Sequence, residues 1–112
     1  MPIADICHRE PVTVSSDTSI AEAAKLMGQH DAEVLVVAEE RGGKRFPQGL
    51  LTDRDIVLRV IAEERDVRTT KACDVMTTDM LLVRAGNGIW DTLQHMRAQR
   101  ARHVLVVDEG GA

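Results

Sequence analysis

Thr52 and Asp55 are the residues whose types and spacing point most directly to chemistry. A carboxylate presents two acceptor oxygens and can take both hydroxyls of a vicinal diol such as a ribose. A threonine hydroxyl, together with the N–H groups of a first helical turn, can hold a phosphate. The same spacing is that of a capping box, in which the two side chains satisfy each other's backbone N–H groups. On spacing alone the cap is favoured, and the two roles are compatible. The densest positive charge is Arg100-Ala101-Arg102-His103, with Arg97 close by. It suits a phosphate, with His103 adding a pH-sensitive contact. It equally suits a solvated helix C-terminus, where cations favour the helix dipole.

Nothing else in the sequence assembles a catalytic group. Asp53 and Asp55 are two apart at a helix start and point in different directions. There is no nucleophile-plus-base grouping and no phosphate loop of the P-loop kind. His8, His30 and His95 are scattered, and Cys7 and Cys73 form no C-x-x-C pattern. The expectation is no catalytic residue, no metal site, and two reduced thiols in a cytoplasmic protein.

Composition narrows the classes further. Of the 112 residues 44% are hydrophobic, yet there is one Trp, one Phe and no Tyr, so the core is aliphatic. A net charge of −4 argues against a phosphate-tracking surface, and the lack of aromatics argues against stacking on bases. No nucleic-acid partner is expected. No apolar run approaches the roughly 18 residues a membrane span needs, and no signal peptide is evident, so no membrane partner is expected either.

The elements that must position Thr52 and Asp55 occur twice. Asp5-Ile6 aligns with Asp74-Val75, and Val12-Thr13-Val14 with Leu81-Leu82-Val83. Ile20 then falls on Ile89, Met27 on Met96, and Ala32 on Ala101. After a one-residue insertion the string Val34-Leu35-Val36-Val37 is repeated as Val104-Leu105-Val106-Val107. Each copy reads as a short helical turn (Ile3 to Cys7, Lys71 to Met76), a short strand, an amphipathic helix, and an apolar strand buried on both faces. Ile20, Ala23, Ala24 and Met27 line the first long helix, with a capping box at Ser19-x-x-Glu22. Ile89, Leu93 and Met96 line the second, which Asn87 can cap. The first copy continues through a turn, 39–48, into the strand Gly49–Thr52. A helix follows from about Asp53 to Glu64, with Ile56, Val57, Val60 and Ile61 on its apolar face. The second copy stops at Ala112 before any such continuation. Either the protein is longer or a partner covers the exposed strand edge. A single copy of about 50 residues buries too little surface to stand alone, so the two are expected to pair. The expected division is a first unit at 1–65, a linker at 66–73 and an incomplete second unit at 74–112.

These residues resemble a known family, the CBS domain pair or Bateman module. The resemblance rests on Asp74-Val75-Met76-Thr77, on Arg102-His103-Val104-Leu105-Val106-Val107-Asp108, and on Gly49-Leu50-Leu51-Thr52-Asp53-Arg54-Asp55. The last is similar to the family's nucleotide signature, Gly-hydrophobic-x-Thr/Ser-x-x-Asp/Asn. The likeness runs from about Ile3 to Asp108. It implies an α/β (α+β) fold of two βαββα-type units related by a pseudo-two-fold axis, the second truncated. It implies an adenine nucleotide or adenosyl metabolite (AMP, ADP, ATP or S-adenosylmethionine) in the cleft between the units, and no required cofactor. Thr13 and the backbone of Ala32 to Val34 would form the adenine pocket. Gly49, Thr52 and Asp55 would serve the ribose and phosphate, and Arg54, Arg102 and His103 the phosphates. A homodimer and an unidentified effector protein are the implied partners. The second Gly-x-x-Thr-x-x-Asp segment is missing, which departs from the pattern at the second site. Two alternatives stay open: a structural dimerisation module without ligand, and the regulatory fragment of a larger enzyme or transporter.

Overall fold

The computed structural model describes residues 11–78, 81–84 and 104–107. They fall in two compact units. One runs from Pro11 to Thr78; the other contains the described strands of the second copy.

The first unit is built on a three-stranded sheet in the order β1-β2-β3. β1 is Thr13–Val14, β2 is Val34–Arg41 and β3 is Lys44–Thr52. β1 runs parallel to β2, with Thr13 opposite Val36, and β2 runs antiparallel to β3, with Val34 opposite Thr52. The apolar string of β2 is covered on both faces, as its composition predicts. Leu35 and Val37 join Val14 and Leu51 in the main core. Val36 and Leu50 lie outside that cluster yet are 4% and 3% exposed, on the alternate face of the pleat. β2 and β3 reach further than the predicted turn allows, to Arg41 and back from Lys44. Gly42 and Gly43 alone make the reversal, at φ of 58° and 79°, the left-handed values a two-residue hairpin turn needs. Pro47, which has no N–H to give, sits beside a register shift at Val37/Ala38.

Helix α1, Ile20–His30, presents Ile20, Ala23 and Met27 to the core, while Ala24 faces outward. Ser19 caps it by accepting the Glu22 N–H at 3.2 Å. The next free N–H groups, of Ile20 and Ala21, donate to the carbonyls of Thr70 and Val67. The polar stretch after the second helix thus folds back over the start of α1. At the other end Asp31 takes a left-handed conformation, φ 49°, and returns its N–H to Met27.

The helix predicted over 53–64 divides. α2, Asp53–Ile56, is α-helical, and Val57–Ile61 continues it as a π-helix. The Ala62 N–H reaches back five residues to Val57. Each wide turn takes in an extra residue, so the apolar positions no longer stack on one face. Val60 is fully buried and Ile56 partly so, but Val57, Leu58 and Ile61 are 55%, 47% and 58% exposed. The expected apolar face of four residues is thus reduced to two. Helix α3, Ala72–Val75, closes the core from below with Ala72 and Val75.

In the second unit, β4, Leu81–Arg84, pairs in parallel with β5, Val104–Val107. The predicted strands of the second copy are present. The predicted turn Ile3–Cys7 and the second amphipathic helix lie outside the described residues.

Candidate functional site

The candidate site is built where β3 runs into α2. Thr52 is the N-cap, extended at φ −102° and ψ 160°. Its Oγ1 accepts the Asp55 N–H at 3.0 Å, and Asp55 Oδ2 accepts the Thr52 N–H at 3.0 Å. The capping reading of Thr52-x-x-Asp55 is therefore realised in full. Asp55 does more than cap. It is 7% exposed, and its carboxylate also takes the hydroxyl of Thr77, which lies 3.1 Å from Oδ1 and 3.2 Å from Oδ2. Arg59, one turn on, brings Nε to 3.8 Å of Oδ1 and donates through Nη1 to the Val75 carbonyl at 3.2 Å. Every polar contact of this buried carboxylate is thus with a donor.

Thr77 is held there by its backbone. Its N–H donates to the Leu50 carbonyl at 2.7 Å and its carbonyl accepts the Leu50 N–H at 2.8 Å. This two-bond bridge against β3 explains Gly49. A Cβ at that position would lie 2.8 Å from Met76 Sδ and 2.9 Å from the Thr77 carbonyl oxygen. The glycine of the signature is thus the gap through which 76–77 approaches the strand.

Other predicted residues gather at the same end of the sheet. Val34, half-buried, pairs with Thr52. The adjoining Glu33 carbonyl accepts the Asp53 N–H at 2.9 Å, and the Ala32 N–H is committed to the Met27 carbonyl. Arg54 is exposed, and its N–H bonds to the Asp53 carboxylate at 2.7 Å. The first-turn N–H groups of Asp53, Arg54 and Asp55 all have internal acceptors. What this end of the sheet presents is carboxylate and hydroxyl oxygen, suited to donors such as sugar hydroxyls rather than to a phosphate.

Thr13 sits further along the sheet, opposite Val36, and its hydroxyl accepts from Arg45 Nη1 at 2.8 Å. Arg45 crosses β2 to reach it. Together with Val14, Ser15, Ala38 and Glu40 they line an open groove of about 270 Å³. Arg102 and His103 lie outside the described residues. Sequence reasoning missed the roles of Thr77, Arg59 and Arg45. Only Gly49, a glycine inside a strand, signalled a close approach.

Among the described residues no group of three or more His, Cys, Asp or Glu side chains could hold a metal ion. Among the same residues no helix is long and apolar enough to cross a membrane.

Comparison with known proteins places these features. The CBS domain family model matches residues 3–62 and 72–112. The CBS domain-containing protein YhcV of Bacillus subtilis is 35% identical over 107 residues, covering 96% of this chain and 73% of that protein. Among solved structures, a CBS domain protein of Pyrobaculum aerophilum, complexed with AMP, is 22% identical with a TM-score of 0.83, covering 99% of this chain and 82% of that one. Hypoxic Response Protein I, solved with two coordinated zinc ions, is 27% identical with a TM-score of 0.80, covering 97% and 86%. A hexameric CBS-CP12 protein from bloom-forming cyanobacteria is 24% identical with a TM-score of 0.80, covering 96% of this chain and 61% of that one. With two matched segments and a tandem α/β architecture, the chain belongs to the CBS domain family and carries two CBS domains.

Proposed function

We propose that this chain is a non-catalytic regulatory module that reversibly binds an adenine nucleotide or adenosyl metabolite. The observation that carries the reading is the buried Asp55 carboxylate, ringed by hydrogen-bond donors at the C-terminal end of a sheet strand. Such a carboxylate, fixed in place by its cap, is suited to accept the two hydroxyls of a ribose. Val34 and the backbone at Ala32 border the same end of the sheet and would face the base, with Thr13 further along. Gly49 and Thr52 shape the turn. Arg54, Arg102 and His103 supply positive charge for phosphates. The AMP held by the Pyrobaculum protein supports the ligand class.

Thermal denaturation with AMP, ADP, ATP or S-adenosylmethionine tests this. A ligand at 100 times its dissociation constant adds about 2.7 kcal/mol, a rise of several degrees for a chain of this size. At least one compound should raise the melting temperature of the wild type and leave Asp55→Ala unmoved. Silence from all four at millimolar concentration overturns the proposal.

A second reading, self-association into a homodimer, is favoured by Val57, Leu58 and Ile61, exposed together on the π-helical turn. Sedimentation equilibrium of the wild type against Leu58→Glu checks it; a monomer in both rejects it.

A further inference from the structure

We infer that Thr77 masks Asp55: its hydroxyl occupies the carboxylate lone pairs that a ribose needs, and a ligand must turn it aside to bind. The inference rests on the ribose role proposed for Asp55. Its physical basis is the count of acceptor positions. An ionised carboxylate offers about four lone-pair directions. In Asp55 one on Oδ2 is taken by the Thr52 N–H, and Arg59 Nε stands 3.8 Å from Oδ1. The Thr77 hydroxyl sits between the two oxygens, at 3.1 and 3.2 Å, and shares its one proton between the lone pairs on their inner sides, where a diol bridging both oxygens would bind. A vicinal diol approaching both oxygens would meet that hydroxyl first, because the carboxylate side chain is only 10% exposed.

The mask moves without unfolding anything. Thr77 is held to Leu50 by two backbone bonds, which a side-chain rotation leaves intact. Turned aside, the hydroxyl surrenders one hydrogen bond to a charged group and the sugar supplies its replacement. Thr77 lies four residues before Leu81, where β4 begins. This makes Thr77 a residue that sets affinity without being a cap or a core residue.

The sign of one substitution separates masking from positioning. Removing a competing hydrogen bond to a charged group should tighten binding about tenfold. AMP and 2′,3′-dideoxy-AMP are titrated calorimetrically into the wild type and into Thr77→Ala, Thr77→Ser and Asp55→Ala. Masking predicts that Thr77→Ala binds AMP about tenfold more tightly and dideoxy-AMP as the wild type does, and that Thr77→Ser restores wild-type affinity. Thr77→Ala that binds AMP equally or more weakly, while Asp55→Ala abolishes binding, overturns the mask and leaves the ribose site standing. A wild type and Thr77→Ala that both ignore AMP, ADP, ATP and S-adenosylmethionine bring down both claims. Should Thr77→Ala fail to fold, the Thr77 χ1 angle is read by NMR coupling constants in the wild type. Rotation on adding AMP but not dideoxy-AMP supports the mask, and an unmoved side chain with AMP bound overturns it.

Discussion

The starts of α2 and α3 are two versions of one local device. At each, an aspartate three residues after the N-cap accepts the N-cap backbone N–H, Asp55 from Thr52 at 3.0 Å and Asp74 from Lys71 at 2.9 Å. There the likeness ends. Thr52 has a hydroxyl to return the bond; Lys71 has only donors, so its half of the box cannot form. Asp55 is buried and takes a further hydroxyl from Thr77, whereas Asp74 is exposed, with a neighbour in Arg65 at 3.9 Å. Two aspartates with the same local spacing thus differ in what surrounds them. One is a cap at the surface. The other is a cap whose carboxylate is also enclosed by a remote segment of the chain. The contrast shows that the site is made by tertiary enclosure acting on a common helix start.

Replacing each aspartate by alanine breaks the comparison most directly. Asp55→Ala removes a cap and leaves Thr77 without its acceptor, so a loss of about 3 kcal/mol is expected. Asp74→Ala removes an exposed cap bond and a surface ion pair of little worth, and should cost about 0.5–1 kcal/mol. Urea denaturation of both variants reads the difference. Equal losses would show that Asp55 is a cap and nothing more.

The enclosure itself can be attacked at Gly49, which has no counterpart before α3. Gly49→Ala places a Cβ 2.8 Å from Met76 Sδ and 2.9 Å from the Thr77 carbonyl. The methionine can swing away, but the carbonyl belongs to backbone held at Leu50. An overpacking cost of about 2 kcal/mol follows, seen as a lower urea midpoint with unchanged slope. Hydrogen exchange at the Thr77 and Leu50 amides should accelerate well beyond that at Met27, in α1. Uniform acceleration would mean that 76–77 is not separately seated.

Much of this was legible in the sequence, and the failures have physical causes. The two Val-Leu-Val-Val strings, short and wholly apolar, read as strands, and both are strands. Ile20, Ala23 and Met27 declared the buried stripe of α1. Ile56 to Ile61 misled, because a short, almost continuously apolar run is compatible with more than one helical winding, and the π-helical one buries Val60 while exposing Val57 and Ile61. Thr52-x-x-Asp55 announced a cap and a diol acceptor equally well, since both demand the same oxygens. Thr77 was not legible as a partner of Asp55 at all. It is 22 residues away, and no periodicity spans a fold-back of that length. The register of the strands was likewise hidden. Thr13 pairs with the third residue of the first string, but Leu82, its counterpart, pairs with the second residue of the other. The one-residue insertion that aligns the sequences is not followed by the pairing.

The smallest expected effect runs in the opposite direction and would make the two helix starts more alike. Lys71 is extended, at φ −97° and ψ 157°, the backbone geometry of an N-cap, but its side chain cannot accept the Asp74 N–H. The Asp74 N–H now donates to the Lys71 carbonyl at 3.0 Å, and Lys71→Ser offers it a side-chain acceptor that completes the box. The lysine's contact with Asp17, 3.5 Å apart with side chains 54% and 80% exposed, contributes little that would be lost. The Ser19–Lys71 bridge is a backbone feature that serine retains. Because that donor already has a backbone acceptor, a gain of about 0.5 kcal/mol is expected, about two degrees in melting temperature. Because α3 carries Ala72 and Val75 into the core, the gain should appear in the global transition and not as local protection alone. The same change leaves Asp74 exposed and without a second hydroxyl partner, so nucleotide affinity should not change. A variant that is stabilised and binds as the wild type does would establish that completing a capping box is insufficient to make a site. A change in affinity would instead show that the start of α3 takes part in binding.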